Sequence, residues 1–111
     1  MMDIKQEDLI RFWTWCGLVE QETGSWYENK IGGKYISATM PTLTLDHLYK
    51  FAIPKLQKEG KYIYLIAVDN KGFVCNIEGL LGARIAQAES DSPTEALYNA
   101  IMKVIENEQH N

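Results

Sequence analysis

Cysteine is scarce in this chain: Cys16 and Cys75 are the only two, far apart and each in an apolar context. Two cysteines without an export signal rarely make a disulfide framework, so both read as buried, reduced thiols rather than a Cys16–Cys75 bridge. The N-terminal run MMDIKQEDL lacks the apolar core of a signal peptide, and with the thiols this points to a cytoplasmic protein. No apolar run approaches the ~20 residues that span a bilayer, which argues against a membrane partner. Positive charge is also short, 11 Lys and Arg against 15 Asp and Glu, for a net charge of −4. A phosphate backbone is held by clustered Lys and Arg, so double-stranded nucleic acid is not an expected partner.

Catalytic vocabulary is missing too. The two histidines, His47 and His110, have no Cys, His or paired carboxylates at ligand spacing, so no metal site is expected. There is no GxSxG, no HExxH and no Cys–His pairing with local context. The acidic residues scatter as a solvated surface would scatter them, with no pair placed for acid–base work. Gly79-Leu80-Leu81-Gly82 before Arg84 suggests a phosphate cradle, but it lacks the Walker lysine and the dinucleotide fingerprint. The expectation is a non-enzyme without a cofactor.

What is present describes one globular domain, residues 1–111, with a frayed tail from about 107. At 46% hydrophobic and 23% charged, the composition is that of a folded chain rather than a disordered one. Lys5 to Gly17 reads as a helix with Leu9, Phe12, Trp13 and Cys16 on one face and Arg11 opposite. Trp15 falls at the border of that stripe. Glu20 to Ser25 is polar and reads as loop. Trp26 to Thr39 reads as one or two short strands around an Ile31–Lys34 turn.

Thr42 to Leu56, TLTLDHLYKFAIPKL, organises the rest. Thr44 is an N-cap, Asp46 suits the first turn, and Leu43 with Leu48 forms a hydrophobic staple. Leu45, Leu48, Ala52 and Leu56 recur at helical spacing with Tyr49 beside them. Pro54 removes one backbone hydrogen bond, so a kink or an early last turn is expected there. Lys61 to Val68 is apolar on both faces, as in a central strand covered on two sides. Asp69–Gly72 is a hairpin turn, Phe73 to Glu78 the returning strand, and Ala83 to Glu89 a third. Ser92-Pro93-Thr94-Glu95 is a capping box opening a last helix that should fade near Glu106. The expected fold is α+β, in the order α-β-β-α-β-β-β-α, a small sheet with helices packed on both faces.

The αβββα order from Thr44 to Ile105 resembles a double-stranded-RNA-binding domain. Such a domain presents lysines at the start of its last helix, where this chain has Ser90-Asp91-Ser92-Pro93-Thr94-Glu95, so RNA binding is disfavoured. DSPTEALYNAI after a meander is similar to HicB-type antitoxins. A broader likeness lies in Phe12-Trp13, Cys16-Gly17-Leu18, Trp26-x-Glu28, PTLTLDHL (41–48) and AIPKL (52–56). These motifs resemble the small phage proteins of the ABA sandwich domain family, and the likeness runs on through SPTEALYNAIMKVI. It implies a phage or prophage product acting inside a bacterium, helices on both faces of a sheet, and no established catalytic residues.

A short viral protein without catalytic groups acts by binding. One expectation is a counter-defence protein that sequesters a nucleotide-derived host immune signal, a small anionic ligand. Trp15, Trp26 and Tyr27 would supply stacking rings, with Trp13 assigned to the core and Tyr35 a further ring. Arg84, Arg11, Lys34 and Lys30 are the available cations. The alternative is a protein-interaction module that meets a host or phage protein through an acidic surface. The sequence leaves self-association open.

Overall fold

In the computed structural model, which describes residues 4–70 and 72–109, the chain divides into two compact units, Met1–Leu43 and Thr44–Asn111. The α+β class expected from the sequence is the one found, built as two three-stranded antiparallel sheets.

In the first unit α1 (Gln6–Trp15) starts without a side-chain cap, and Glu7 and Asp8 face its positive end instead. It buries Phe12 and Trp13, whose rings meet edge to face at 5.0 Å. After Gly17 comes a strand that the sequence reading did not assign, β1 (Leu18–Glu20). It pairs with β2 (Trp26–Glu28), which in turn pairs with β3 (Tyr35–Ser37). The expected turn between the last two is present and holds Gly33 against the chain. A Cβ at Gly33 would stand 2.1 Å from the Glu28 carbonyl oxygen, so only glycine fits there.

The second unit opens with the expected cap: Thr44 Oγ1 accepts the His47 N–H at 3.2 Å. The helix then changes register along its length. α2 (Leu45–His47) runs into a π turn (Leu48–Ala52), and α3 (Ile53–Lys58) follows with Pro54 in its first turn. The kink anticipated at Pro54 takes this form. The Ile53 N–H reaches back five residues to the Leu48 carbonyl, and the extra residue is absorbed just before the imino nitrogen that has no hydrogen to give.

The buried stripe is therefore Leu48, Ala52, Ile53 and Leu56, while Leu45 is only half-buried and Tyr49 is exposed. The stripe ends in a Schellman motif, with Lys61 N–H on the Leu56 carbonyl and Gly60 N–H on the Gln57 carbonyl, both at 3.0 Å.

β4 (Tyr62–Val68), β5 (Gly72–Glu78) and β6 (Arg84–Ser90) form a meander in the order β4-β5-β6, with Leu65 opposite Cys75 and Cys75 opposite Ala88. Of the expected Asp69–Gly72 turn, Lys71 lies outside the described residues. Asn70 takes φ 51° and Gly72 φ 93°, and a Cβ at Gly72 would come 2.4 Å from the Ser90 carbonyl oxygen.

α4 (Pro93–Gln109) packs on β6 and β5 and runs past Glu106, where fading was expected, to Gln109. Ser92 Oγ accepts the Glu95 N–H at 3.3 Å, as the capping box requires. The reciprocal half is different: the Ser92 N–H goes to Ser90 Oγ at 3.2 Å. Between helix and sheet the buried residues include Ala86, Ala88, Ala96 and Ala100, with Cys75, Ile77, Leu97 and Ile101.

The expectation that Lys61 to Val68 is covered on two sides is not met. Tyr62, Tyr64, Ile66 and Val68 are 55%, 47%, 49% and 39% exposed, all on one face of β4. A strand apolar on both faces needs cover on both, and within this unit α4 and the α2–α3 rod leave that face open.

Candidate functional site

The residues expected to bind a ligand divide between the two units. Arg11, Trp15, Trp26, Tyr27 and Lys34 belong to the first and Arg84 to the second. Trp15, at the end of α1, is half-buried with its ring 6.4 Å from that of Phe12. Arg11 is exposed on the same helix.

Trp26 is a correction: at 1% exposure it is part of the core and offers no face to a ligand. A three-residue strand paired on both sides buries its first ring, which the sequence placed at a rim. Tyr27 is half-buried and packs edge to face against the exposed Tyr35, with centroids 5.4 Å apart.

Glu28 lies beside the cations near that pair. The Lys34 backbone N–H donates to Glu28 Oε1 at 2.9 Å, and Lys30 Nζ lies 3.7 Å from the same oxygen. The Lys34 amide bond, helped by the Lys30 and Lys34 charges, holds the Glu28 carboxyl below its usual range against the opposing effect of desolvation. Arg84 is exposed on β6, and its Nη1 donates to Gln87 Oε1 at 3.3 Å. The glycine loop before it forms a 3₁₀ turn (Leu80–Gly82) that exposes Leu80 and Leu81.

A concave site of the second unit lies elsewhere. A cleft of about 450 Å³ opens between the α2–α3 rod and the start of β4. It is lined by Tyr49, Tyr62 and Tyr64, with Ile53, Ile63 and Gln57. The three tyrosines are 50%, 55% and 47% exposed. Each element supplies its part for a local reason. The π turn rotates Tyr49 off the buried stripe, and the period-2 geometry of β4 puts Tyr62 and Tyr64 on the uncovered side.

Lys61, also in the lining, is already engaged: its Nζ lies 2.7 Å from Glu59 Oε1 and 3.8 Å from Glu108 Oε1. The cleft therefore offers ring faces, phenol hydroxyls and one amide, with its lining ammonium neutralised in place.

Chemically the lining is aromatic and apolar, with one amide and one ion-paired ammonium. Cys75 is buried, and desolvation pushes its thiol up to about 11, far from a nucleophile's range. Cys16 and Cys75 form no disulfide. Among the described residues no group of three or more His, Cys, Asp and Glu could hold a metal ion, and no helix is long and apolar enough to cross a membrane. His110 lies outside the described residues.

Sequence reasoning missed the cleft because two tyrosines in an all-apolar strand look like core. The available signal was their spacing, since Tyr62 and Tyr64 must share a face, and a phenol is poorly placed in a layer that offers it no acceptor. Comparison with protein-family models, with curated proteins and with solved structures returned no match.

Proposed function

We propose that this chain is a non-catalytic binding protein that takes the flat part of a small ligand, of nucleotide type, between the tyrosines of the cleft. The observation that carries the reading is the convergence of Tyr49, Tyr62 and Tyr64, each about half exposed, on one concavity of about 450 Å³. That volume falls in the range of small-molecule sites, and stacking on aromatic rings is tolerant of the base presented. Phosphates must displace Glu59 from Lys61 or extend past it, so the base carries the recognition and the anionic part contributes less. Under the likeness to phage ABA sandwich proteins, such a ligand is a nucleotide-derived signal of host defence, and the chain acts by sequestration in the bacterial cytoplasm.

The test is thermal unfolding with and without adenosine, cyclic dinucleotides and ADP-ribose. At about 100 times its dissociation constant a ligand adds about 2.7 kcal/mol of stability. Tyr49→Ala and Tyr64→Ala should keep most of the parent's stability and lose that increment. If no compound raises the midpoint, or if both variants retain the full increment, the reading fails. A second reading, a protein-interaction module, is favoured by Ile66 and Val68, which continue the exposed apolar strip of β4 beyond the cleft.

A further inference from the structure

The two edges of the β4-β5-β6 sheet are built differently. β6 carries Arg84 and Glu89, its register with β5 shifts opposite Glu78, and the Gln87 carbonyl receives the Lys103 ammonium. Charges and irregularities of this kind keep an edge strand from pairing with another chain. β4 has none of them. Its seven residues, YIYLIAV, contain no charge and no proline, and its register with β5 is unbroken. Among the described residues, Tyr62 to Val68 make no backbone hydrogen bond except to β5. Tyr62, Tyr64, Ile66 and Val68 add an exposed apolar face to the unpaired edge.

We infer that β4 is a self-association edge, pairing antiparallel with β4 of a second copy about a two-fold axis at Leu65, so that two sheets join into one of six strands. The strand reads suitably in both directions from Leu65. With Leu65 at the centre, Tyr64 meets Ile66 of the second copy and Tyr62 meets Val68, while all seven residues of β4 find a partner. At each end Lys61, which already holds Glu59 in its own chain, stands opposite the exposed Asp69, so unlike charges meet directly across the seam.

Neighbouring registers do worse. Centring on Tyr64 leaves Ala67 and Val68 unpaired and sets Glu59 against Asp69, like against like. Centring on Ile66 leaves Tyr62 and Ile63 overhanging. An isologous contact of this kind closes on itself as a dimer and uses up the edge that would otherwise invite open-ended stacking. The inference rests on the edge and its end charges, and stands whether or not the cleft holds a nucleotide.

Sedimentation of the full chain across a dilution series is the first test. The expected mass at high loading is twice the 12.7 kDa of the monomer, and a chain that stays monomeric throughout overturns the inference and leaves the edge to a strand of another protein. Charge pairs then test the register. Tyr64→Lys with Ile66→Lys clusters four ammonium groups at the seam and should give a folded monomer, because both positions are exposed. Tyr64→Lys with Ile66→Glu sets each lysine against a glutamate of the other copy and should restore the dimer. Far-UV melting of each variant checks that the monomer is intact. A dimer that survives the double lysine, or one that the Lys/Glu pair fails to restore, places the contact elsewhere.

Discussion

The π turn at Leu48–Ala52 makes a quantitative test of what sets the register of the central helix. The buried positions Leu48, Ala52, Ile53 and Leu56 are spaced i, i+4, i+5, i+8, one residue longer than the i, i+3, i+4, i+7 of an unbroken α-helical face. Deleting the exposed Lys50 would bring the four to α spacing and allow a continuous helix, at the loss of its cation–π contact with Phe51 at 5.4 Å, worth about 0.5 kcal/mol at an exposed site. That helix, however, would carry Pro54 in its interior, against the carbonyl one turn back, at a cost of about 3 kcal/mol.

The expected cycle is therefore unequal. The Lys50 deletion should lose about 3 kcal/mol. Pro54→Ala alone should change stability by less than about 1 kcal/mol, because relaxing the π turn would swing Leu48 or Leu56 out of the core, and each is worth about 1.5–3 kcal/mol buried. The deletion combined with Pro54→Ala should return to within about 1 kcal/mol of the parent, leaving a coupling of about 2–3 kcal/mol between the two sites. Urea unfolding followed by circular dichroism measures all four corners. A gain of about 3 kcal/mol from Pro54→Ala alone would refute the reasoning, since the proline would then be straining a helix that prefers α register.

Three further outcomes follow from single groups. Ser92→Ala should cost about 0.5–2 kcal/mol by leaving the Glu95 amide without its acceptor, while Thr94→Ala should cost little; equal urea midpoints would show that the hydroxyl is not a cap. Cys75 should resist iodoacetamide at pH 8 in the native protein and react in urea, because burial both shields the thiol and raises it to about 11; labelling of native protein, read by mass spectrometry after digestion, would contradict its placement. Glu28 has a folded-state carboxyl lowered from 4.5, so its contribution is present above the unfolded value and lost as pH falls through the lower folded one; the Lys34 amide resonance should titrate with a midpoint below 4.5, and a midpoint above it would exclude the bond to Glu28.

Local signals in the sequence were read well where one residue does one job. Thr44 and Ser92 cap the helices expected of them, and the turn residues Gly33, Asn70 and Gly72 stand where the chain bends. What the sequence could not convey were features that depend on comparison between elements. Of the expected stripe Leu48, Ala52 and Leu56 are buried, but Leu45 gives way to Ile53 because a π turn has no composition of its own, and Tyr49 was taken as a neighbour of the core. β1 is three residues long, too short to show an alternation, and exists through its pairing with β2.

The candidate site fared similarly. Rings were sought by count in the first unit, where Trp26 proved to be core. The cleft instead uses Tyr62 and Tyr64, whose exposure depends on a face of β4 that its neighbours cover only in part. Hydrophobicity says that a strand wants cover on both sides, and it does not say whether the rest of the chain has an element left to provide it.

The order in which the meander is assembled carries a consequence for synthesis. β4, β5 and β6 pair only with their neighbours along the chain, so loop closures are short and the sheet can form as soon as Ser90 has left the ribosome. α4 comes last, and it packs on β5 and β6, whose buried side chains include Cys75, Ile77, Ala86 and Ala88. Between those two moments the nascent sheet has apolar surface on both faces and an unguarded edge. A chain stopped before Ser92 should therefore be recovered in aggregates instead of as a smaller folded protein, and the last helix acts as the seal that makes the finished molecule safe to release.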